Sequence, residues 1–492
     1  MISILFEGGA IWGGFLGSRE ARDGWIKSKV EEWASAIGVL AKVARKYPQS
    51  AYAGYTFCLQ NEWTYLARVT PDCASLFGPL ERAIREELLP AFLCIGASDI
   101  TNDFRALLSL SVSLGGFGMR NPVLAAEEMH DTSVDACQLL TNSLVEDTPL
   151  DISAHGSHVV QAVVRAKKVR AFREARFLSK PATPAEKRRR RKNASSGCWL
   201  NCYPSYRNGT LLSAEEFFDN VRLRFNLAPL NMPQHCDGCG SRMTVEHALQ
   251  CKKGGLVHIR HDDCAKEFGH LCQLALSNSK VSREPRIHSG VDRSSQGNTN
   301  DGDQQNSTST QQSRQQPTQQ QRQQQQSRQA GQQQQQSTSS SNVDETRGDV
   351  GVHGFWQRGR PAIFDVRITD TDCRSHRHKA PDKVLADQEK EKKNKYLHAC
   401  HERRKDFTPL VYSVDGMAGR EAKAAEKRLA SYLAHKWHRP YSQMVHYVKV
   451  RMALSVVRSN SLLIRGTRDR GPIRPFIECG SALLGVRTLH ER

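Results

Sequence analysis

The sequence predicts a mixed α+β protein with a helical amino-terminal half, a zinc knuckle and a small α/β domain. Three observations support this fold class. Apolar residues recur at three- and four-residue steps through the first hundred positions. Three cysteines and one histidine cluster between positions 236 and 251. Short apolar runs typical of strands follow position 349, with helical patterns after them.

The composition favours a polyanionic partner. Lys and Arg number 70 against 51 Asp and Glu, which leaves a net charge of +19 on 492 residues. Lysine and arginine release counterions when they neutralise phosphates, so this surplus suits a nucleic acid. A ribosomal or membrane-surface protein could carry the same charge. No apolar run approaches the roughly 20 residues of a membrane span, and we expect neither a membrane nor a small-molecule substrate.

Cysteine usage indicates a reducing compartment. Most of the 14 cysteines stand singly in apolar segments, as reduced core thiols do. We therefore expect an intracellular protein, nuclear or cytoplasmic.

The first hundred residues predict a strand pair followed by helices. Residues 1–17 are apolar and glycine-rich, which suggests two strands without their neighbours. One helix is expected to end at Pro48, a second to run to Pro71 and a third to span residues 75–93. The first helix carries a single apolar stripe formed by Trp25, Ile26, Val30, Trp33, Ile37, Leu40 and Ala44.

The next segment becomes increasingly basic. Helical patterns continue to about residue 177, and a run of six cations lies in a Pro- and Ser-rich connector at residues 183–212. This run could bind phosphate or serve as a nuclear localisation signal, and a solvated linker is an equal alternative. The candidate nucleic-acid-binding residues in it are Lys187, Arg188, Arg189, Arg190, Arg191 and Lys192.

Four residues have the spacing of a structural zinc site. Cys236 and Cys239 form a Cys-x-x-Cys pair, and His247 and Cys251 stand four residues apart, so that on a helix both face one side. Thiolates and imidazole are ligands that zinc prefers, and four of them complete a tetrahedral site. Two unrelated buried cysteine pairs are the alternative. We expect the four donor atoms to converge on one Zn²⁺.

The remaining chain predicts an α/β domain that contains a long insertion. Residues 294–342 are almost entirely Gln, Ser, Asn and Thr, so we expect a disordered and dispensable insertion. Two strands at residues 350–356 and 361–368 should be followed by a charged helix at 383–404. A third strand at 410–414 and two helices complete the pattern.

Acidic residues on these strands suggest a Mg²⁺ site. Asp349 and Asp365 fall on neighbouring predicted strands, which could bring their carboxylates to one end of the sheet. Glu284 is a possible third ligand, and Lys392 or Lys395 could place an ammonium beside a phosphate. Carboxylates suit Mg²⁺, and a metal beside a lysine suits phosphodiester hydrolysis. Taken one by one, these residues are also typical of turns and solvated surfaces.

The order of these motifs resembles the carboxy-terminal part of non-LTR retrotransposon polyproteins. In that family a reverse transcriptase is followed by a zinc knuckle and a restriction-like endonuclease. The resemblance rests on the Cys236–Cys251 knuckle, the Arg-His-Asp triplet at 260–262, the two aspartates and the lysine-rich helix. It extends to residues 13–17, which are similar to the turn that closes the polymerase palm, and to residues 114–118, which are similar to a glycine motif just after the thumb.

The resemblance implies a domain plan and a set of roles. Asp349 and Asp365 would bind Mg²⁺, and Lys392 or Lys395 would be catalytic. Arg260, His261 and Glu284 would contact DNA or assist at the site. The implied partners are DNA and element RNA. The implied domains are a palm-strand remnant at 1–17, a reverse transcriptase thumb-like domain at 18–98, a basic helical connector at 99–182, a basic linker at 183–212, the knuckle at 213–275, a restriction-endonuclease-like domain that starts at 276–293 and continues at 343–465, and a tail at 466–492.

Two features of the sequence limit the expected activity. The Tyr/Phe-x-Asp-Asp motif of polymerases does not occur, so we expect no copying of RNA by this chain alone. The family usually has Pro before the first acid, where this chain has Gly348. The leading hypothesis is a metal-dependent endonuclease that nicks DNA to provide a primer end. The alternatives are a nucleic-acid-binding remnant that no longer cleaves, and a zinc interaction module.

Overall fold

The computed structural model describes residues 8–11, 13–180, 182–277, 280–287 and 347–468. The predicted insertion at residues 294–342 lies outside these ranges, as do residues 1–7 of the predicted strand pair and most of the predicted tail. Within the described residues, long helices accompany two small sheets, which confirms the mixed α+β class. None of the described helices has both the length and the apolar character that a membrane span requires.

The amino-terminal part is a β-hairpin followed by helices. Strands β1 (Gly8–Ile11) and β2 (Gly14–Gly17) pair antiparallel, with Gly8 opposite Gly17. Six helices follow, and they are α1 (Arg19–Ala44), α2 (Pro48–Ala53), α3 (Thr64–Val69), α4 (Gly78–Ala83), α5 (Leu89–Leu93) and α6 (Asn102–Ser109). Ser18 caps α1 by accepting a hydrogen bond from the Ala21 N–H.

The second and third predicted helices are interrupted. Pro48 ends α1 as expected but also starts α2, because a proline at the first helical position needs no N–H partner. A π-helical turn, Ile84–Leu88, separates α4 from α5. This turn ends two residues before Pro90. Proline lacks a backbone N–H, and its ring crowds the carbonyl of the residue four positions earlier, which here is Glu86. The wider turn relieves that conflict.

Two long helices and a short one follow α6 in the chain. Helix α7 (Pro122–Val145) and helix α8 (Ile152–Leu178) form a helical hairpin, joined by an ion pair between Asp135 and Arg165. The predicted basic linker is instead largely helical, since α9 (Pro184–Ser196) occupies its first part. Thr183 and Glu186 form a capping box at its start, which explains why a cationic segment adopts a helix here.

The knuckle region lies between helices. Helix α10 (Ala214–Arg224) begins at a capping box formed by Ser213 and Glu216. Helix α11 (Val245–Gln250) carries His247, and helix α12 (Leu256–Ala275) follows it. Although the sequence assigns α12 to the knuckle, it packs on the second sheet through Cys264, Phe268 and Leu271. These apolar residues recur at three- and four-residue steps and need a partner surface.

The second sheet has the strand order β3-β4-β5-β6. These strands are β3 (Val281–Arg283), β4 (Val350–His353), β5 (Pro361–Thr369) and β6 (Asp406–Ser413). The first three strands run antiparallel, and β5 and β6 are parallel. Strand β4 ends before its predicted limit, because Gly354 adopts a positive φ of 77° and turns the chain. An isolated antiparallel β-bridge joins Arg286 to Arg347 and continues the pairing of β3 with β4. These two residues lie on either side of the undescribed segment.

Three helices complete the sheet domain. They are α13 (Pro381–Glu402), α14 (Arg420–Trp437) and α15 (Tyr441–Arg465). Helix α15 contributes Met444 and Val448 to the core under the sheet. It also contributes Val450 and Leu454 to the amino-terminal helical core. The predicted domains at 18–98 and 343–465 therefore both pack against this one long helix.

Candidate functional site

The Cys236–Cys239 turn is stabilised by its own backbone. The Cys236 N–H donates to the Ser241 carbonyl at 2.8 Å, and the Gly240 N–H donates to the Cys236 carbonyl at 2.8 Å. Gly240 has a φ of 72°, a conformation that favours glycine and lets the chain reverse. The turn therefore presents both thiols on one side of the loop.

The short helix α11 brings the other two donors to this loop. Thr244 caps the helix through a hydrogen bond from the His247 N–H. Cys251 follows the last turn as its cap residue, with its N–H bonded to the His247 carbonyl. It leaves the helical conformation there, so the two residues do not share a helix as predicted. A single helical turn nevertheless separates the imidazole from the thiol.

The four predicted zinc ligands converge, as expected. The donor atoms of Cys236, Cys239, His247 and Cys251 all lie within 4.8 Å of one another. The Cys239 Sγ lies 3.4 Å from the His247 Nε2, and the Cys236 Sγ lies 3.9 Å from the Cys251 Sγ. Hydrogen bonds from Ser241 lower the pKa of Cys239 to about 6, which favours the thiolate that a metal binds. This cluster could hold a zinc ion.

The knuckle is attached to the end of α15. Asp237 accepts hydrogen bonds at 2.7 Å from the Arg468 N–H and the Thr467 hydroxyl. The buried Arg468 guanidinium donates to the carbonyls of Ala248 and Leu463. A side chain at position 238 would collide with Arg468, because a Cβ on Gly238 would lie 2.6 Å from the Arg468 Cβ. The metal-ligand loop therefore depends on a residue more than 200 positions away.

The two predicted catalytic aspartates lie on paired strands. Asp349 directly precedes β4, and its N–H donates to the Phe364 carbonyl at 2.9 Å. The Asp349 Oδ2 accepts a hydrogen bond of 2.6 Å from the Val366 N–H. Asp365 lies between these two β5 residues and is only 4% exposed. The structure thus places both aspartates at the same position along the sheet.

Strand alternation directs Asp365 towards α13. Phe364 and Val366 face the core beneath the sheet, whereas Ile363 packs with Tyr396 and Cys400 of α13 on the other face. Asp365 shares the face of Ile363 because side chains alternate along a strand. Lys392 lies one helical turn before Tyr396, and its Nζ is 2.6 Å from the Asp365 Oδ2. This geometry selects Lys392 over Lys395 as the cation beside the acid.

A histidine of α12 contacts the other aspartate. The His261 Nε2 lies 3.1 Å from the Asp349 Oδ2, and its Nδ1 lies 3.1 Å from the Asp262 Oδ1. The hydrogen bond to Asp349 raises the pKa of His261 to about 9, so the imidazole is cationic at neutral pH. Burial raises the pKa of Asp365, as does the Asp349 charge, while Lys392 opposes the shift. We call His261, Asp349, Asp365 and Lys392 the acidic cluster.

Two predicted members lie outside the acidic cluster. The Lys395 Nζ stands over the Tyr396 ring at 4.9 Å from its centroid. Glu284 donates its backbone N–H to the Asp349 carbonyl, but its carboxylate is 70% exposed and lies 3.9 Å from Arg347. Its φ of 46° belongs to a turn after β3. Among the described residues, only the knuckle brings three or more His, Cys, Asp or Glu donor atoms close enough to one another to hold a metal ion, so the predicted three-acid metal site with Glu284 does not assemble.

Arg260 is not positioned to contact DNA. Its side chain is 3% exposed, and its Nε and Nη1 have no hydrogen-bond partner within the described structure. Burial lowers the pKa of Arg260 to about 10, and the charge of Asp370 partly offsets this effect. The neighbouring residues 260 and 261 differ in this way because successive side chains of a helix point about 100° apart.

The basic run at residues 187–192 is largely used within the molecule. Lys192 is buried and forms ion pairs with Asp372 and Asp415. Arg188 also pairs with Asp372, and Arg191 pairs with Asp382. Lys187 is exposed. Three of the six cations are therefore engaged in ion pairs within the molecule, and the run does not form one continuous surface for nucleic acid as predicted.

No sequence pattern pointed to the acidic partners of this run. Asp372 and Asp415 lie 180 and 223 residues from Lys192, and each is an ordinary charged residue in a loop.

The family models that were scanned do not match this chain, and a search of curated proteins found no match either. Functional assignment therefore depends on the geometry of the knuckle and the acidic cluster.

Proposed function

We propose that the protein is a metal-dependent DNA endonuclease, with the acidic cluster as its active site. The observation that carries the proposal is the pairing of Lys392 with Asp365, on a strand whose neighbour presents Asp349. Two carboxylates and an ammonium on two strands and a helix are the groups that phosphodiester hydrolysis needs. The resemblance of the sequence to the endonuclease part of non-LTR retrotransposon polyproteins agrees with this reading.

We propose that the two carboxylates hold a magnesium ion. Mg²⁺ is usually held by one or two protein carboxylates together with waters and substrate phosphates, so Glu284 is not required. Asp349 and Asp365 supply hard oxygen donors, and burial of Asp365 makes an opposite charge favourable. When bound, the ion would activate water and offset charge on the scissile phosphate.

The cations in the cluster have separate roles. Lys392 stands beside Asp365 and could contact a phosphate oxygen, which would stabilise the charge that develops during attack. His261 holds the Asp349 carboxylate through a hydrogen bond and thereby orients it. His261 is consequently a positioning residue, whereas Asp349, Asp365 and Lys392 would touch the metal or the substrate.

The remainder of the molecule suits a DNA partner. The net charge of +19 favours binding to a polyanion. A zinc ion would stabilise the knuckle, which is attached to α15, and α15 runs under the sheet that carries the acidic cluster. We propose that the knuckle contributes to DNA binding and that cleavage occurs at the acidic cluster. Copying of RNA is not part of the proposed function.

A nicking assay tests the proposal. Supercoiled DNA is incubated with the full chain and Mg²⁺, and the relaxed product is measured for the wild type, Asp365→Asn and Asp406→Asn. Asp406 is a matched control because it lies on β6, the strand that pairs with β5, but is opposite Ala362 and pairs with Arg360. We expect Asp365→Asn to lose at least about 100-fold in nicking rate, as when a group that stabilises the transition state is removed. The control should retain most of the rate.

DNA affinity separates the two leading functions. Asp365→Asn should bind DNA about as tightly as the wild type, since affinity would depend on distributed basic residues. Wild-type protein that binds DNA but does not nick it with Mg²⁺ or Mn²⁺ would identify a nucleic-acid-binding remnant. Equal nicking by the wild type and Asp365→Asn would exclude the acidic cluster as the active site.

A further inference from the structure

A cavity of about 570 Å³ lies between α2, α6, α7 and α8. None of its lining residues belongs to the knuckle or to the acidic cluster. Its volume falls within the roughly 300–1,000 Å³ of small-molecule sites. Phe57, Leu124, Met129 and Phe177 supply apolar wall, and two of these are aromatic. The cavity can therefore accept a flat ring.

Three guanidinium groups line the same cavity. Arg170 lies 2.7 Å from one carboxylate oxygen of Glu128, and Arg173 lies 3.3 Å from the other. Arg120 is near enough to Arg170 that the two charges repel, which adds to burial in lowering the pKa of Arg120. With Glu174, the wall holds three positive and two negative side chains. Each guanidinium has five N–H donors, so an additional anion can be bound in a bidentate manner.

An unpaired acceptor completes the cavity. Gln60 lines it and is 8% exposed, and its Nε2 donates to the Thr56 carbonyl at 2.8 Å. Its Oε1 is buried and has no hydrogen-bond partner among the described residues. Buried acceptors are normally paired, because an unmade hydrogen bond costs stability. A ligand with an N–H group on its ring edge would satisfy this oxygen.

We propose that this cavity binds a nucleoside monophosphate unit. The base would stack on the apolar wall that includes Phe57 and Phe177, with an N–H on its edge directed to the Gln60 Oε1. The phosphate would lie at Arg120 and the remaining donors of Arg170 and Arg173. A free nucleotide and one nucleotide of a single strand offer the same chemistry. This site is independent of the proposed cleavage, because binding requires neither Mg²⁺ nor the acidic cluster.

Fluorescence of 2-aminopurine provides the test, because stacking on an aromatic ring changes its emission. The full chain is titrated, without added Mg²⁺, into 2-aminopurine deoxyriboside monophosphate and into a short single strand with one central 2-aminopurine. Saturable binding of the mononucleotide identifies a free nucleotide as the ligand. Saturable binding of the strand alone identifies a nucleotide within nucleic acid. Binding of neither probe overturns the proposal.

Three variants establish where the probe binds. Arg120→Gln and Gln60→Leu should each weaken binding about 10-fold, as expected when one hydrogen bond to a charged or buried group is lost. Lys168→Gln is the matched control, because Lys168 is exposed on α8 and does not line the cavity. Gln60→Leu removes the unpaired oxygen, so its melting temperature should not fall. Wild-type affinity in both Arg120→Gln and Gln60→Leu would overturn the assignment.

Discussion

The knuckle and the acidic cluster are both four-residue sites, but the chain assembles them in different ways. The knuckle ligands lie within 16 consecutive residues and need one turn and one short helix. The acidic cluster takes its members from α12, the start of β4, the middle of β5 and α13. A site with local ligands can be recognised from spacing, whereas a site assembled from distant segments requires the whole sheet to form.

The first prediction tests the independence of the knuckle and carries the largest effect. Replacing Cys236 by Ser should abolish stoichiometric zinc binding and destabilise the protein by several kcal/mol, as roughly expected for a structural zinc site. The loss of stability should extend to the end of α15, because Asp237 accepts a hydrogen bond from the Arg468 N–H just after that helix. Metal content and thermal unfolding check this outcome, with Cys58→Ser as an exposed control. Unchanged zinc content in Cys236→Ser would exclude the proposed ligand set.

The second prediction sharpens the description of the acidic cluster. Lys392→Gln should reduce the nicking rate about 100-fold, because it removes the cation that we propose lies beside the attacked phosphate. Lys395→Gln should change the rate little, since Lys395 stands over the Tyr396 ring. Single-turnover nicking at equal DNA occupancy measures both variants. Equal losses of nicking rate in Lys392→Gln and Lys395→Gln would show that nicking depends on the overall positive charge of α13 and not on the ion pair between Lys392 and Asp365.

The third prediction concerns the stability of the sheet that supports the cluster. Burial raises the pKa of Glu426 to about 7, although the Tyr412 hydroxyl at 3.0 Å and the charges of Lys449 and Lys423 oppose the shift. The folded state therefore keeps a proton that the unfolded state loses above about pH 4.5. Stability should be highest below that pH, fall as the pH rises to about 7 and remain lower above it.

Replacing Glu426 by Gln should remove this dependence. At pH 8 the variant should be more stable than the wild type by about 2 kcal/mol, since each pKa unit is worth about 1.4 kcal/mol and part of the shift relaxes. Denaturant unfolding at pH 5 and pH 8 provides the measurement. The difference between the two proteins isolates Glu426 from other titrating groups. A wild-type advantage that grows with pH would contradict the assigned direction.

The fold was predictable where patterns are local. The stripe from Trp25 to Ala44 identified α1, and a short apolar run identified β5. The π-turn before Pro90 and the early end of β4 at Gly354 were missed, because each depends on how a single residue disturbs a regular pattern. The assignment of α12 to the second sheet was also missed, since an apolar stripe shows that a partner exists but not which one.

The sequence by itself predicted which four residues converge in the knuckle, the cross-strand placement of Asp349 and Asp365, and the mixed α+β class. It could do so because ligand spacing, strand alternation and helical periodicity are properties of short segments. Tertiary structure alone decided that Lys392 and not Lys395 meets Asp365, that His261 faces Asp349 while Arg260 is buried, and that Lys192 pairs with Asp372 and Asp415. The side-chain types were visible in the sequence, but their exposure and their partners were not, because burial and long-range pairing depend on packing between segments far apart in the chain.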